Sequence, residues 1–92
     1  MFYIREVIIS LDREEHIWTK HQVTPDEVEE VCYASPLPIR GRDGSYAMYG
    51  QTEGGRYLIA FLYPRSHGVY ELATARDMTQ TERRRYQRSR GR

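Results

Sequence analysis

Residues 56–63 are the segment that most constrains the fold, because they are apolar on both sides of an alternating pattern. One side carries Leu58, Ala60 and Leu62, and the other carries Tyr57, Ile59 and Phe61. Successive side chains of a strand point to opposite faces of a sheet, so a strand with this composition needs cover on both faces. The sequence therefore predicts a central strand with a layer of structure on each side.

Local capping signals predict where two of the helices begin. Thr24 is followed by Pro25, which suits the first helical position, and by Glu27, which completes a capping box. Thr79 and Glu82 have the same spacing at the start of a basic segment near the C-terminus. We expect one helix from Thr24 to the proline-containing segment 35–38, and a last helix over about 80–88.

Strand and turn signals complete the expected order of elements. Asp12, with Glu15 three residues later, is expected to cap a short first helix that follows an apolar N-terminal strand. The glycines in Asp43-Gly44 and in 53–55 indicate turns. Strands are predicted over residues 2–11, 46–52, 56–63 and 69–75, with a further short strand at 40–43 as an option. The predicted fold is α+β, in the order β-α-α-β-β-β-α, with an antiparallel sheet flanked by helices.

The net charge of +1 hides a strong asymmetry along the chain. Residues 1–82 carry eight Lys or Arg and thirteen Asp or Glu, a formal −5, whereas residues 83–92 carry six Arg and no acid, a formal +6. Such a block is typical of an arm that binds nucleic acid or an acidic protein, and a solvated, frayed terminus is the alternative. At 92 residues, we expect one domain, 1–92, with a basic tail at about 87–92.

The composition argues against several classes of protein. No run of about 18 apolar residues is present, and the N-terminal segment lacks the pattern of a signal peptide. We therefore expect a cytoplasmic protein with no membrane partner. Cys32 is the only cysteine, which excludes an internal disulfide, and three scattered histidines lack the spacing of metal ligands. No metal and no cofactor are expected.

Several short motifs, in this order, resemble those of the BrnT family, which are toxins of bacterial type II toxin–antitoxin systems. The matching positions fall within residues 12–88 and are Lys20-His21 with Val23, the acidic helix from Thr24, the TEGGR segment 52–56 and the apolar strand after it, Ala75-Arg76, Met78-Thr79, Glu82-Arg83 and Tyr86. Family members usually have glycine after the Lys-His pair, where this chain has Gln22. The resemblance implies a RelE-like fold and a metal-independent endoribonuclease that inhibits translation. It also implies a cognate antitoxin, dimeric and DNA-binding, that covers the basic face.

In such an enzyme the RNA 2′-OH attacks the adjacent phosphate, which requires a base, cations for the phosphate charge and an acid for the leaving oxygen. The resemblance therefore implies catalytic roles for Lys20, His21, Arg56, Arg76 and Glu82. The two arginines, at strand ends, would bind the phosphate, or alternatively pair with acids of the chain. His21 belongs to the residue type whose unperturbed side chain titrates near neutrality, and Lys20 would be a second phosphate ligand or a proton donor. Alternatively, both simply complement a helix C-terminus. Glu82 would be a base, or only a capping residue.

The basic helix supplies candidates for RNA binding. Arg83 and Arg85 would contact backbone phosphates, and the tail would add salt-sensitive affinity. Tyr86 would stack on a base or pack on the sheet.

Two functions of other classes stay open at this point. The first is a non-catalytic RNA- or protein-binding module on the same scaffold, since one scaffold hosts many functions. Convergence of Lys20 or His21 on Arg56 and Arg76 would favour catalysis over binding. The second is an interaction domain whose basic tail binds an acidic partner.

Overall fold

The computed structural model describes residues 3–34 and 36–90, which form a five-stranded sheet with helices on both faces. The elements are β1 (Glu6–Ile8), α1 (Leu11–His21), α2 (Pro25–Tyr33), β2 (Leu37–Arg40), β3 (Tyr46–Gln51), β4 (Tyr57–Ser66), β5 (Val69–Asp77) and α3 (Gln80–Arg90). The strand order is β1-β5-β4-β3-β2. Strands β2 to β5 are antiparallel, and β1 pairs in parallel with β5. The α+β class and the central position of the strand predicted over 56–63, which is β4, are therefore confirmed.

Three predicted boundaries are wrong. Four strands follow α2, not the three of the predicted order. The additional strand, β2, covers Leu37–Arg40 rather than 40–43. Pro38 is tolerated there because β2 is an edge strand, where a missing N–H leaves no gap in the ladder. The N-terminal strand is three residues long, and Ser10, not Asp12, caps α1 by accepting a hydrogen bond from the Arg13 N–H. Residue 2 and Ser35, which belong to predicted segments, lie outside the described part.

One face of the sheet is fully covered by α1 and α2. The Thr24–Glu27 capping box is present in both directions, at 3.2 and 3.1 Å, and it fixes the start of α2. Buried side chains on this face come from both layers: Val7, Ile17, Val23, Val28, Val31, Cys32, Met48, Leu58, Ala60, Leu62, Leu72 and Ala75. Gly50 allows the close approach of α2, because a Cβ there would lie 2.8 Å from Val31 Cγ1.

The other face is covered only in part, by α3. Tyr86 of this helix is buried and packs against Tyr49 and Ile59. The rest of the face stays half-buried: Leu37, Ile39, Ala47, Tyr57, Phe61 and Met78. Cover on both faces of β4 is thus confirmed, but the second layer is one short helix that leaves part of the sheet open. None of the helices in the described ranges is long and apolar enough to cross a membrane.

Candidate nucleic-acid interface

Arg56 lies just before β4 and joins the ends of three other elements. Its Nη2 and Nη1 donate to the carbonyl oxygens of His21 and Gln22, at 2.7 and 2.6 Å, which are unpaired groups of the α1 C-terminus. Nη1 also donates to Glu27 at 3.2 Å. Nε and Nη2 bind the two carboxylate oxygens of Asp77 at 2.8 and 3.2 Å. These contacts occupy all five N–H donors of the guanidinium.

The charges of this network support one another. Hydrogen bonding to Asp77 raises the pKa of Arg56, and Glu27 adds to the effect. Hydrogen bonding to Arg56 in turn lowers the pKa of Asp77, with a smaller electrostatic contribution from His21. Binding of phosphate by Arg56 stays a prediction. In this conformation, the guanidinium connects α1, α2 and β5 and has no donor left for a ligand.

Lys20 and His21 end α1, on the same side of the sheet as this network. The His21 ring lies edge-on to His16 with 6.0 Å between the ring centroids, and its carbonyl is the one that Arg56 binds. Lys20 is exposed and lines a shallow depression on the outer surface of α1 with Asp12 and Glu15. Lys20 and His21 therefore lie next to Arg56 in the structure. The contact is made by the main-chain carbonyl of His21 and not by its side chain.

Arg76 lies on β5, and its side chain is on the opposite face, towards α3. It pairs with Ile59 in the ladder, and its guanidinium carbon is 5.4 Å from the centre of the Phe61 ring. Nη1 and Nη2 bind the two oxygens of Glu82 at 2.8 and 2.9 Å, and Nη1 also donates to the Asp77 carbonyl at 3.0 Å. Nε and the second N–H of Nη2 have no hydrogen-bond partner within residues 3–34 and 36–90. Arg76 is thus held in place with two donors unused.

Glu82 orients Arg76 and caps α3 at the same time. Its Oε1 accepts from the Thr79 N–H at 2.8 Å, and its own N–H donates to Thr79 Oγ1 at 3.2 Å, so the predicted capping box is present. The hydrogen bonds from Arg76 lower the pKa of Glu82 to about 2. A carboxylate with this pKa is ionised at neutral pH and is a weak general base.

The predicted catalytic residues therefore form two groups rather than one. Lys20, His21 and Arg56 belong to the α1–α2 side of the sheet, and Arg76 and Glu82 to the α3 side. The groups meet at Asp77, whose carboxylate binds Arg56 and whose carbonyl binds Arg76.

The arginines of α3 differ in how they are held. Arg83 lies over the Tyr57 ring, with its guanidinium carbon 4.1 Å from the ring centre. Arg85 is exposed one turn after Glu82, so the two side chains are neighbours on the helix surface. Tyr86 is 3% exposed, and the packing alternative accounts for it. The predicted tail is helical as far as Arg90.

Sequence analysis did not single out three side chains on the α3 face near Arg76. Tyr49 is buried beneath α3 and contributes electrostatically to the raised pKa of Arg76, after the larger effect of Glu82. Thr74 precedes Arg76 by two residues, and its buried Oγ1 has no hydrogen-bond partner among the residues that the structure describes. The Tyr57 ring packs against the Arg83 guanidinium. Strand alternation alone could have placed them on one face, but their proximity depends on the register of β3, β4 and β5.

No group of three or more His, Cys, Asp or Glu side chains within the described ranges is arranged to hold a metal ion.

The sequence matches no family model and no curated protein. The structure is similar to the crystal structure of the ribonuclease toxin BrnT from Brucella abortus, with a TM-score of 0.68 and 14% sequence identity. The match covers 82% of this chain and 97% of that chain. Likeness at this identity concerns the fold, and it agrees with the resemblance seen in the short sequence motifs. The chain has a BrnT-like fold.

Proposed function

We propose that this protein is a toxin that cleaves RNA without a metal and thereby inhibits translation. The observation that carries the proposal is Arg76, a guanidinium fixed at the edge of an open sheet face with two donors unused. The BrnT-like fold supports the same class of activity, since that structural neighbour is a ribonuclease toxin.

The contacts of Arg76 suit the binding of a scissile phosphate. Glu82 and the Asp77 carbonyl fix three of its N–H groups, so little side-chain entropy remains to be lost when a ligand binds. The free Nε–H and Nη2–H lie on one edge of the planar guanidinium, which is the geometry that binds two phosphate oxygens. Arg85, one turn after Glu82, would supply a second cation.

In the proposed reaction the 2′-oxygen of RNA attacks the adjacent phosphorus as its proton leaves to a base. The bond from phosphorus to the 5′-oxygen then breaks, and an acid protonates that oxygen. Arg76 would stabilise the negative charge that develops on the phosphate oxygens. Glu82 would orient Arg76 rather than take the proton, because its pKa of about 2 makes it a weak base. Lys20 and His21, on the helix whose end Arg56 holds, stay the candidates for the proton transfers, but they lie on the α1–α2 side of the sheet and the fold does not bring them to Arg76.

The proposed partner is an antitoxin with an acidic segment that covers the exposed arginines of α3. Arg84, Arg85 and Arg88 are exposed, and none of their side chains has a hydrogen bond or ion pair in the described part of the chain. A negatively charged segment on this surface would neutralise both the RNA-binding cations and Arg76. In the proposal, the protein acts in the cytoplasm on RNA.

The test is cleavage of RNA by the purified protein in the presence of a chelator. Wild type, Arg76→Ala and the control Arg42→Ala are compared, because Arg42 is exposed in the β2–β3 turn and its side chain has no polar contact in the described chain. Wild type and Arg42→Ala are expected to give fragments with 2′,3′-cyclic phosphate ends, and Arg76→Ala is expected to give almost none. Intact RNA with folded wild type would overturn the proposal.

One observation favours a second candidate, a non-catalytic RNA-binding module. The His21 carbonyl contacts Arg56 on the α1–α2 side of the sheet, away from Arg76, and the acid beside Arg76 is a weak base. The same experiment separates the candidates, since a binding module would retain RNA at low salt and leave it uncut.

A further inference from the structure

A cleft lies between α3 and the hairpin that joins β3 to β4. It has a volume of about 240 Å³ and is lined by Gln51, Tyr57, Tyr86, Gln87 and Arg90. A cleft of this size can hold a single flat heterocycle.

Two carboxamides on different walls give this cleft its chemistry. Gln51, at the end of β3, donates one N–H to the Gly55 carbonyl at 3.2 Å, and Gln87 of α3 donates one N–H to the Tyr57 hydroxyl at 3.2 Å. Each amide is thereby oriented, and each keeps one N–H and its carbonyl oxygen without a partner in the described chain. The cleft thus offers donor–acceptor pairs from both the sheet and the helix.

The surroundings of the cleft are basic. Arg83 covers Tyr57 beside it, Arg90 forms part of its wall, and Arg84 and Arg88 are exposed on the same helix. A polyanion is expected to lie along this helix. Its phosphates would contact the arginines, and a neutral group of the same ligand would enter the cleft.

We propose that this cleft is a subsite for one unpaired nucleobase of an RNA strand bound along α3. The edge of a base presents a donor and an acceptor side by side, which a carboxamide matches with two hydrogen bonds. The carboxylate of an acidic peptide has only acceptors, so it could bind the amide N–H groups but would leave the two amide oxygens without a partner. The base must be unpaired, because its edge is otherwise occupied and the base cannot leave the stack. The inference rests on the proposed action on RNA and adds where the strand is recognised.

The test is binding of a short fluorescent 2′-O-methyl oligoribonucleotide, which cannot be cut by 2′-oxygen attack, compared with an abasic oligomer of the same length. Fluorescence anisotropy at low and at physiological salt gives both affinities.

Wild type is expected to bind the base-containing oligomer about tenfold more tightly, the contribution of one bidentate amide–base contact. The double variant Gln51→Ala/Gln87→Ala is expected to lose this preference and to keep the affinity for the abasic oligomer. Gln80→Ala, at an exposed glutamine that starts α3, is the matched control and should behave as wild type.

Two results would overturn the subsite. One is equal binding of the two oligomers by wild type, and the other is an equal loss of affinity for both in the double variant. Neither depends on cleavage. A protein that cuts RNA without a preference for the base-containing oligomer would contradict the subsite and leave the ribonuclease in place. A protein that shows the preference and never cuts RNA would support the subsite and contradict the ribonuclease.

Discussion

Arg56 and Arg76 occupy similar places in the sequence, at strand ends, but they are used differently in the structure. Arg56 gives all five donors to main-chain and carboxylate oxygens of three other elements. Arg76 gives three donors, two of them to Glu82, and keeps two. Two arginines at strand ends therefore differ in the donors left to them after folding, and only Arg76 keeps donors with which it could bind a ligand.

The largest expected effect on stability comes from Arg56→Ala. The variant leaves the α1 C-terminal carbonyl groups, Glu27 and Asp77 without their shared partner, and the loss should be about 3 kcal/mol of unfolding free energy. Urea denaturation followed by circular dichroism measures it. Arg56→Lys should recover only part, because an ammonium cannot reach all of these acceptors. An unfolding free energy like that of wild type would show that the Arg56 network does not connect the elements as described.

Much of the fold could be predicted because its signals are local. The capping boxes at Thr24 and Thr79 need only four residues each, and the alternation of β4 needs only its own side chains. The cap of α1 was misplaced because Ser10 and Asp12 are both good caps, and the end of β1 decides between them. The use of all five Arg56 donors within the chain could not be predicted, because their acceptors lie 21 to 35 residues away in the sequence.

Lowering the pH should reduce the unfolding free energy by protonating Glu82, the carboxylate that pairs with Arg76. The pKa of Glu82 falls from 4.5 to about 2 on folding, so its pairing with Arg76 contributes stability that is full above about pH 4.5 and is lost as the pH falls towards 2. Glu82→Gln should therefore flatten the decrease of unfolding free energy between these values. Thermal melts of the variant and wild type across this range provide the measurement, and parallel curves would contradict the ion pair.

A smaller effect is expected from Arg85, which lies one turn after Glu82 and whose side chain has no partner among the described residues. Arg85→Ala should weaken RNA binding equally for all sequences and reduce the slope of log affinity against log salt by about 1. Its stability should not change by more than about 0.5 kcal/mol. Anisotropy titrations at several salt concentrations give the slope, and Arg13→Ala on the exposed surface of α1 is the control. An unchanged slope would remove Arg85 from the RNA surface.

The smallest expected effect concerns Gln22, the residue that stands where BrnT proteins usually have glycine. It closes α1 in the left-handed conformation, with φ 53°, so the helix ends as it would with glycine. Gln22→Gly should relieve strain of about 1 kcal/mol while losing side-chain hydrogen bonds to Trp18 and Thr19 carbonyls. A net gain of about 0.5 kcal/mol is expected from urea denaturation. Marked destabilisation would mean that the glutamine side chain, not the backbone conformation, holds the Arg56 network.

The most direct test of the contrast between the two arginines is to measure RNA cleavage and unfolding free energy together for Arg56→Gln and Arg76→Gln. We predict that Arg76→Gln lowers the cleavage rate by about 10²–10³-fold, as expected when a group that stabilises developing charge is removed, and that it lowers stability less than Arg56→Gln does, because it gives up one carboxylate partner rather than two. Arg56→Gln should lower stability, and cleavage by its folded fraction should stay within about tenfold of wild type. The reverse pattern, with activity lost at Arg56 in a stable protein and retained at Arg76, would contradict the account.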